Sequence, residues 1–346
     1  MNNKRKKSFY FLVWFFVSSI FILLLAITLS LYILHSPVSN KESESILFSV
    51  PRGSSVRSIV DSLADNKLIR SARFAQFYVR FSKDSLKAGT YRIYPSMSLK
   101  EILSIISSGK QESLRITIPE GLSLLKTAKH IADSGLISEE DFILAARDPQ
   151  ILSFYGIKGD TAEGYLFPDT YFFSFGDTAP IIVEMMIKNF FYRIATIPSL
   201  NENSIDLFQT VILASIIERE YRLVEEAPLI ASVFSNRLKI GMGLQSCATV
   251  EYIITEIQKK PHPTRLLVSD LEIPSDYNTY LWAGLPPGPI CSPGLVALSA
   301  AFNHPKTGYL YFRLTDPEVG SHAFTRSLDE HVKAGRNLVL KKAAGK

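Results

Sequence analysis

The segment Ile46-Leu-Phe-Ser-Val-Pro-Arg-Gly-Ser-Ser-Val-Arg-Ser-Ile-Val-Asp-Ser-Leu-Ala-Asp65 predicts how the first folded part of this 346-residue chain begins. Its first five residues, Ile46–Val50, are predicted to form a strand. Four apolar residues then recur at i, i+3, i+4 and i+7, a spacing that places them on one face of a helix: Val56, Ile59, Val60 and Leu63. The segment therefore predicts a strand followed by a helix with one apolar face.

The next residues continue the same pattern. The spacing of Phe74, Phe77 and Phe81 predicts a second helix. Gly89–Tyr94 is predicted to be a strand that returns beside the first one. The predicted order is therefore strand, helix, helix, strand.

A further helix is expected after the returning strand. Ser98 and Glu101 have the spacing of a capping box, and Gly109 is placed to end the helix. The unit at residues 46–112 resembles a LysM-like module in pattern, a type that often holds glycan. A purely structural spacer is the alternative.

Part of this unit recurs later in the chain. Val50-Pro51-Arg52-Gly53 is matched at an offset of 68 residues by Ile118-Pro119-Glu120-Gly121. These matches predict a second strand–helix–helix unit at about residues 113–150, unless a common strand-to-helix turn arose twice. The same offset pairs Ser55 with Ser123, Ala64-Asp65 with Ala132-Asp133, Leu68-Ile69 with Leu136-Ile137, and Phe74 with Phe142.

An apolar segment precedes the folded part. Phe9–Leu34 contains 26 residues without a charge, and a bilayer core takes about 20 apolar residues in a helix. We therefore predict one transmembrane helix at 9–34. A cleaved signal peptide is the alternative, although its apolar region is about 7–15 residues and ends in small residues. The basic residues of the tail at 1–8 predict a cytoplasmic N-terminus, so the chain from the tether at 35–45 onward is expected outside the cytoplasmic membrane.

Charge and cysteine content exclude two classes of protein. The formal charge is +5, but without the four basic residues of the N-terminal tail the balance is 34 basic to 33 acidic residues. A nucleic-acid-binding protein would show a basic face, and none is visible. Cys247 and Cys291 lack the spacing of a zinc site, and we expect both to be free thiols.

Glu218 is a candidate proton donor on the evidence of its neighbours. Gln209–Arg222 is predicted to be a helix, in which the side chain of Glu218 leans over Ala214 and Ser215. These two small residues leave a notch where a sugar could approach, and apolar neighbours would keep the carboxyl protonated, as a departing glycosidic oxygen requires. The spacing alone favours the alternative, a solvated glutamate paired with Arg222.

Polar, aromatic and Pro/Gly-rich stretches gather between residues 163 and 331. The order and the residues of these stretches resemble the motifs of the endolytic murein transglycosylase (YceG-like) family, and the resemblance runs from the anchor to the C-terminus. The stretches are Glu163-Gly-Tyr-Leu-Phe-Pro-Asp-Thr-Tyr171, Ala214-Ser-Ile-Ile-Glu-Arg-Glu220, Val233-Phe-Ser-Asn-Arg-Leu238, Leu244-Gln-Ser-Cys-Ala-Thr-Val-Glu-Tyr252, Tyr277-Asn-Thr-Tyr280, Gly284-Leu-Pro-Pro-Gly-Pro289, His322-Ala-Phe324 and Glu330-His331.

The resemblance implies a mixed α+β catalytic domain at 113–346 with Glu218 as its catalytic residue. It implies a lyase that cuts the MurNAc–GlcNAc bond inside nascent peptidoglycan strands and thereby ends their elongation. Glu218 would protonate the bond leaving MurNAc C1 and then take the proton of the C6 hydroxyl, which closes a 1,6-anhydro ring. No metal or organic cofactor is implied. The implied partners are glycan strands, the cytoplasmic membrane and, as candidates, peptidoglycan synthases.

Eight more residues are candidates for binding the sugar chain. Each also has a structural alternative, because tyrosines pack, Asp and Asn favour turns, and a lone histidine is more often structural. The candidates are Tyr277, Asn278, Tyr280, Gln245, Asn236, Glu163, Asp169 and His322.

Two departures from the family pattern bear on the details. Cys247 stands where the family usually has an aspartate, and Asp276 stands where it usually has a proline. Two other functions stay open. One is a hydrolytic muramidase, whose second carboxylate would be Glu220, Glu163 or Asp169, and the other is a membrane-tethered, non-catalytic glycan-binding scaffold.

Overall fold

The computed structural model describes residues 2–39, 44–82, 84–198 and 206–335, with the side chains from residue 9 onward. Part of the predicted tether, residues 40–43, and the last 11 residues of the predicted catalytic domain lie outside the described residues. The chain divides into two compact units. The first comprises Met1–Leu114 with Phe173–Gly176, and the second comprises Arg115–Phe172 with Asp177–Lys346.

A long apolar helix, α1, runs from Asn2 to His35. Its part Phe9–His35 has a mean hydropathy of 2.7 and no residue buried against the rest of the protein. At 1.5 Å per residue its 27 residues extend about 40 Å, more than the roughly 30 Å hydrocarbon core of a bilayer. Length and composition are therefore those of a membrane-spanning helix.

The first unit follows the predicted strand–helix–helix–strand order. Strand β1 (Ile46–Val50) pairs antiparallel with β2 (Gly89–Ile93), from Ile46 opposite Ile93 to Val50 opposite Gly89. Its helices are α2 (Val56–Asp65), α3 (Ala72–Ser82) and α4 (Leu99–Ser108). Large apolar side chains from all of these elements form one buried core.

Local capping signals in the first unit are confirmed. The Ser98 hydroxyl accepts the Glu101 N–H while the Glu101 carboxylate accepts the Ser98 N–H, and Gly109 ends α4 with φ 73°. The aromatic residues of α3 behave less simply. Phe77 and Phe81 are 61% and 67% exposed, because the side of α3 that meets the core carries Ala75 and Val79 instead.

The second unit begins with elements in the order predicted from the repeat. Ser123 caps α5 as Ser55 caps α2, each by accepting the N–H three residues on. Gly53 and Gly121 both have positive φ, 79° and 75°. The elements are β3 (Ser113–Thr117), α5 (Leu124–Ala132), α6 (Glu139–Ala145), α7 (Pro149–Phe154) and β4 (Thr170–Ser174), and β3 pairs with β4.

The rest of the second unit packs around one buried helix. Helix α9 (Leu207–Glu218) has seven consecutive buried residues, 211–217, and a helix that is apolar on all sides is one that lies inside the protein. It packs against α10 and α12. The other elements are α8 (Ala179–Ile194), α10 (Ala227–Lys239), α11 (Cys247–Tyr252), α12 (Leu295–Phe302) and the antiparallel pair β5 (Tyr311–Asp316) and β6 (Ser321–Thr325).

Helix α9 ends earlier than predicted. The sequence predicts a helix to Arg222, but the last helical residue is Glu218, and the next two N–H groups bond back to Ile216 and Ile217 in a tight turn. Residues 219–226 contain no glycine or proline to mark this end, so tertiary contacts of the following side chains decide it. The expected pairing of Glu218 with Arg222 is absent from the described residues.

Candidate active site

Two loops of the second unit are joined by backbone hydrogen bonds. One loop, residues 119–122, connects β3 to α5, and the other, residues 291–294, leads into α12. The Gly121 N–H donates to the Ser292 carbonyl at 3.0 Å, and the Ser292 N–H donates to the Leu122 carbonyl at 2.8 Å. The pairing holds side chains from distant parts of the chain at one place.

The side chain of Glu218 ends between these two loops. The Gly294 N–H donates to Glu218 Oε2 at 3.0 Å, and the nearby Tyr221 hydroxyl lowers the pKa of the same carboxyl group. A methyl group added at Gly121 would lie 3.6 Å from Glu218 Cγ. The small residues in contact with the Glu218 side chain are therefore glycines of other segments.

The residues predicted to form a notch under Glu218 belong to the core. Ala214 and Ser215 are both fully buried. The Ser215 hydroxyl donates to the Ile212 carbonyl at 2.7 Å and accepts the Ile290 N–H at 3.0 Å. Ser215 thus fixes the start of the loop that carries Gly294.

The surroundings of Glu218 favour its protonated form. Burial is the largest cause that raises the pKa of Glu218 to about 7, and the negative charge of Glu120 adds to it. The Gly294 N–H, the Tyr221 hydroxyl and the charge of Arg219 act in the opposite direction, since each stabilises the carboxylate. A carboxyl whose pKa lies near neutral pH can both give and take a proton.

A polar cavity borders the 119–122 loop. It is lined in part by Gly121 and by two ion pairs, Arg219 with Glu251 at 3.1 Å and Lys126 with Glu256 at 3.8 Å. These charged side chains provide donors and acceptors beside Glu218. Among the described residues no group of His, Cys, Asp or Glu could hold a metal ion.

The candidate residues of the Tyr277–Tyr280 stretch stabilise a turn. Asn278 is fully buried, its amide donates to the Leu271 and Ile273 carbonyls at 3.0 and 2.8 Å, and its oxygen accepts the Tyr280 N–H. The Tyr277 ring packs on Tyr252 with centroids 5.0 Å apart. These polar atoms are used within the protein, as the structural alternative expects.

Two further candidates, Asn236 and His322, are held by hydrogen bonds within the protein. The Asn236 amide donates to the carbonyls of Thr307 and Tyr309 at 2.8 and 3.0 Å. The His322 side chain bonds to Glu226 Oε2 through Nδ1 at 2.6 Å, and the His322 N–H donates to Glu226 Oε1 at 2.9 Å. Asn236 thus bonds to carbonyls, whereas His322 is held by a carboxylate, and both fix the position of the β5–β6 region.

Cys247 and its neighbours form a second polar group with Glu220, which lies two residues along the chain from Glu218. The Cys247 thiol lies 3.1 Å from the Tyr280 hydroxyl, and Glu220 accepts a hydrogen bond from Ser246. Burial raises the pKa of Glu220 to about 7. Gln245 precedes them with an exposed side chain and a φ of 51°, a left-handed conformation that is uncommon for a residue other than glycine.

The departure at Cys247 leaves Arg237 well satisfied. Its guanidinium donates to the Leu310 and Leu244 carbonyls, both at 2.7 Å, and lies over the Tyr311 ring at 5.3 Å. Arg237 therefore needs no carboxylate at position 247. Cys247 and Cys291 are both free thiols, as predicted.

Asp169 and Glu163 are held by partners away from Glu218. Asp169 bonds to Arg193 and Asn189. Both Glu163 oxygens accept the Leu124 N–H at 2.9 Å, at the start of α5. Glu163 is only 6% exposed, and burial raises its pKa to about 8.

Glu163 should make the stability of the protein depend on pH. Its folded pKa of about 8 exceeds the ordinary value of 4.5, so its contribution is complete below pH 4.5 and is lost as the pH rises through 8. In that range the unfolding free energy should fall by up to about 1.4 kcal/mol per pH unit from this group. Glu163→Gln should shrink the fall measured by denaturant unfolding between pH 5 and 8. The exposed Glu139→Gln is the control, and an unchanged slope in Glu163→Gln would contradict the assignment.

The sequence did not single out three residues of this site. Glu120, Tyr221 and Gly294 all approach Glu218. All three lie outside the motif Ala214–Glu220, which Tyr221 directly follows. The sequence did contain a signal for Glu120. The repeat matches position 120 with Arg52, so the charge changes sign at a turn whose other residues are similar. No comparable signal marks Gly294, whose role depends on a contact between residues 76 positions apart.

Comparisons with known proteins agree in family. A model of the YceG-like family matches residues 48–337. The endolytic murein transglycosylase of Bacillus subtilis (strain 168) is 34% identical over 324 residues, 88% of each chain. That of Streptococcus pneumoniae (strain ATCC BAA-255 / R6) is 29% identical over 87% of this chain, which spans 60% of that relative. A crystal structure of a yceG-like protein from Listeria monocytogenes covers 85% of this chain and 99% of its own, with 33% identity and a TM-score of 0.56.

Proposed function

Because the chain belongs to the YceG-like family, we propose that it is a peptidoglycan lytic transglycosylase with Glu218 as its catalytic acid and base. The observation that carries the assignment is the half-buried Glu218 carboxyl between two paired loops, with a pKa near 7. Relatives named endolytic murein transglycosylases support the substrate class. In this proposal the chain cuts the MurNAc–GlcNAc bond inside glycan strands.

The contacts of Glu218 suit both proton transfers. In the first, the protonated carboxyl gives its proton to the glycosidic oxygen that leaves MurNAc C1. The resulting carboxylate is stabilised by the Gly294 N–H and the Tyr221 hydroxyl. In the second, Glu218 takes the proton of the C6 hydroxyl, whose oxygen bonds to C1 and closes the 1,6-anhydro ring. Glu218 is then protonated again for the next cycle.

The chemical form of the released ends tests this reaction. The full-length protein in detergent is incubated with uncrosslinked glycan strands, and the products are weighed by mass spectrometry. Lytic cleavage gives ends lighter by one water than the reducing ends that a hydrolytic muramidase leaves. Reducing MurNAc as the sole product would exclude ring closure. Intact strands would favour the non-catalytic scaffold.

The positions of the other carboxyl groups weigh against a hydrolytic muramidase that would use one of them as its second carboxylate. Glu220, Glu163 and Asp169, the predicted second carboxylates, bond respectively to Ser246, the start of α5, and Arg193. Among the described residues, none of these three carboxyl groups bonds to Gly294 or Tyr221, the groups that stabilise the Glu218 carboxylate. A one-carboxyl reaction needs none of them.

The activity should depend on pH through the proton of Glu218. Because the reaction starts from the protonated carboxyl, kcat/KM should be highest below pH 7 and fall about tenfold per pH unit well above it. A solvated glutamate would place the same fall near pH 4–5. Initial rates of strand cleavage between about pH 4 and 9 measure the pH at which kcat/KM begins to fall, which is the position of this limb. A limb near pH 4–5 would contradict the burial of Glu218.

The location of the enzyme follows from α1. In this proposal Phe9–His35 crosses the cytoplasmic membrane, the basic tail stays inside, and both units lie outside, where glycan strands and peptidoglycan synthases meet. A membrane-impermeant maleimide should then label the exposed Cys247 in intact cells. Labelling only after lysis would indicate the opposite orientation. Failure to cross-link with any peptidoglycan synthase would contradict the proposed partnership.

The first unit is proposed to be LysM-like and to hold glycan near the membrane. Its strand–helix–helix–strand order and antiparallel β1–β2 pair support this assignment. A spacer role is the alternative. The full chain carrying Glu218→Gln should sediment with uncrosslinked strands, and exchange of residues 46–112 for an unrelated domain should weaken that binding. Equal binding after the exchange would support a spacer.

A further inference from the structure

Glu120 is an exposed carboxyl group that the reaction described above does not use. It lies at the tip of the 119–122 loop. A methyl group built on Gly294 would lie 2.0 Å from Glu120 Oε1 and 2.3 Å from its Cδ. The same Gly294 donates its N–H to Glu218. The carboxyl groups of Glu120 and Glu218 therefore meet at one residue.

The backbone around Glu120 holds this arrangement. The next residue, Gly121, has a φ of 75°, which favours glycine, and its N–H bonds to the 291–294 loop. Gly294 has no room for a side chain while Glu120 keeps its position. The loop pairing and the absence of a Cβ at Gly294 together bring a second carboxyl group to the site of Glu218.

The charge of Glu120 is not neutralised by a salt bridge in the described part of the chain. The cation that follows Glu218, Arg219, is paired with Glu251 at 3.1 Å. Lys126, on the helix after the loop, is paired with Glu256. The negative charge of Glu120 acts on Glu218, whose pKa it raises, and on Tyr221.

The duplicated turn shows that folding does not require a carboxyl group at this position. The first copy carries Arg52 at the matched place. Both copies nevertheless have a glycine with a φ of 75–79° next in sequence and a serine that caps the following helix. Since the turn forms with either charge, formation of the turn does not account for an acid at position 120.

A role for Glu120 follows from the charges that develop during cleavage. Two carboxyl groups in proximity disfavour a second negative charge, so one of them keeps its proton. As the glycosidic bond breaks, the sugar ring acquires the positive charge of an oxocarbenium ion. A fixed negative charge beside it stabilises that transition state. A reaction with Glu218 alone has no such charge while Glu218 is protonated.

We propose that Glu120 is the second carboxyl group of the active site. In this proposal Glu120 keeps the proton on Glu218 and faces the cationic sugar ring as the glycosidic bond breaks. The inference rests on the proposed function. It adds a charged partner to Glu218 and does not make Glu120 a nucleophile. Because Glu120 acts partly through Glu218, its test needs a readout that a structural role would not move.

Glu120→Gln in the full-length protein provides this readout. Loss of the charge should lower kcat for cleavage of uncrosslinked strands by about tenfold to a hundredfold. It should also move the high-pH limb of kcat/KM to lower pH, because the charge of Glu120 raises the pKa of Glu218. Glu120→Arg, the residue of the first copy, should fold and move the limb further in the same direction.

A matched control and the opposite results complete the test. Glu139→Gln removes an exposed carboxyl group at the start of α6 and should leave both the rate and the pH profile unchanged. An unchanged kcat in Glu120→Gln, or a lower kcat with an unmoved limb, would overturn the inference. The proposed function fails separately, if Glu218→Gln remains active or the wild-type protein forms no anhydro ends. Thermal unfolding of each variant confirms that it is folded, and Glu120→Arg decides the matter if Glu120→Gln is not.

Discussion

Glu218→Gln should abolish the release of anhydro-ended fragments from uncrosslinked glycan strands. Glutamine keeps the size of the side chain and can still accept the Gly294 N–H, but it has no proton to give to the departing glycosidic oxygen. General acid catalysis contributes about 10²- to 10⁴-fold. We therefore expect kcat to fall by at least about a hundredfold, measured as the rate at which new chain ends appear in mass spectra.

A matched control separates chemistry from folding in this experiment. Glu225 lies in the short turn after α9 and is exposed, so Glu225→Gln should retain the wild-type rate. Binding of strands by Glu218→Gln should also persist, because the substitution removes a proton and not a surface. Full activity of Glu218→Gln would exclude Glu218 as the acid and would leave the scaffold as the remaining function.

Gly164→Ala should strongly destabilise the protein. Gly164 has a φ of 84°, and an added methyl group would lie 2.6 Å from Pro289 Cβ and 2.8 Å from Val211 Cγ1. The left-handed conformation costs about 1–2 kcal/mol for a residue with a Cβ, and overpacking typically adds about 1–3 kcal/mol. Neither the proline ring nor the β-branched valine on buried α9 can turn aside.

The control for Gly164 is a glycine with the same backbone but free space. Gly156 has a φ of 66° and nothing within 4 Å of an added methyl group. Gly156→Ala should cost only the backbone term of about 1–2 kcal/mol. Denaturant unfolding of both variants in detergent measures the difference. Equal losses of unfolding free energy would show that the loop carrying Pro289 yields to the methyl group.

Gly164 also connects stability to the site. Pro289 begins the stretch that runs through Ile290, held by Ser215, to Gly294, the donor to Glu218. A displaced Pro289 should therefore reduce activity even in molecules that stay folded. The motif around Glu163 and the motif around Glu218 are thus parts of one packed structure, although Glu163 and Glu218 are 55 positions apart in the chain.

The sequence alone determined the features that depend on near neighbours. The cap at Ser98 and the end of α4 at Gly109 each require only residues within one turn, so they can be predicted from the chain. The long apolar segment Phe9–Leu34 likewise needs only composition. The importance of Glu218 came from the resemblance of its surrounding motif to a family.

The tertiary structure decided what surrounds Glu218. The end of α9, the contact of Gly294 with the carboxyl group and the approach of Glu120 all join segments far apart in sequence. Such contacts depend on which loops the packing brings together, and spacing along the chain carries no record of distance in space. For the same reason Asn278 and His322 have the composition of a binding site, while the fold uses their polar atoms for its own hydrogen bonds.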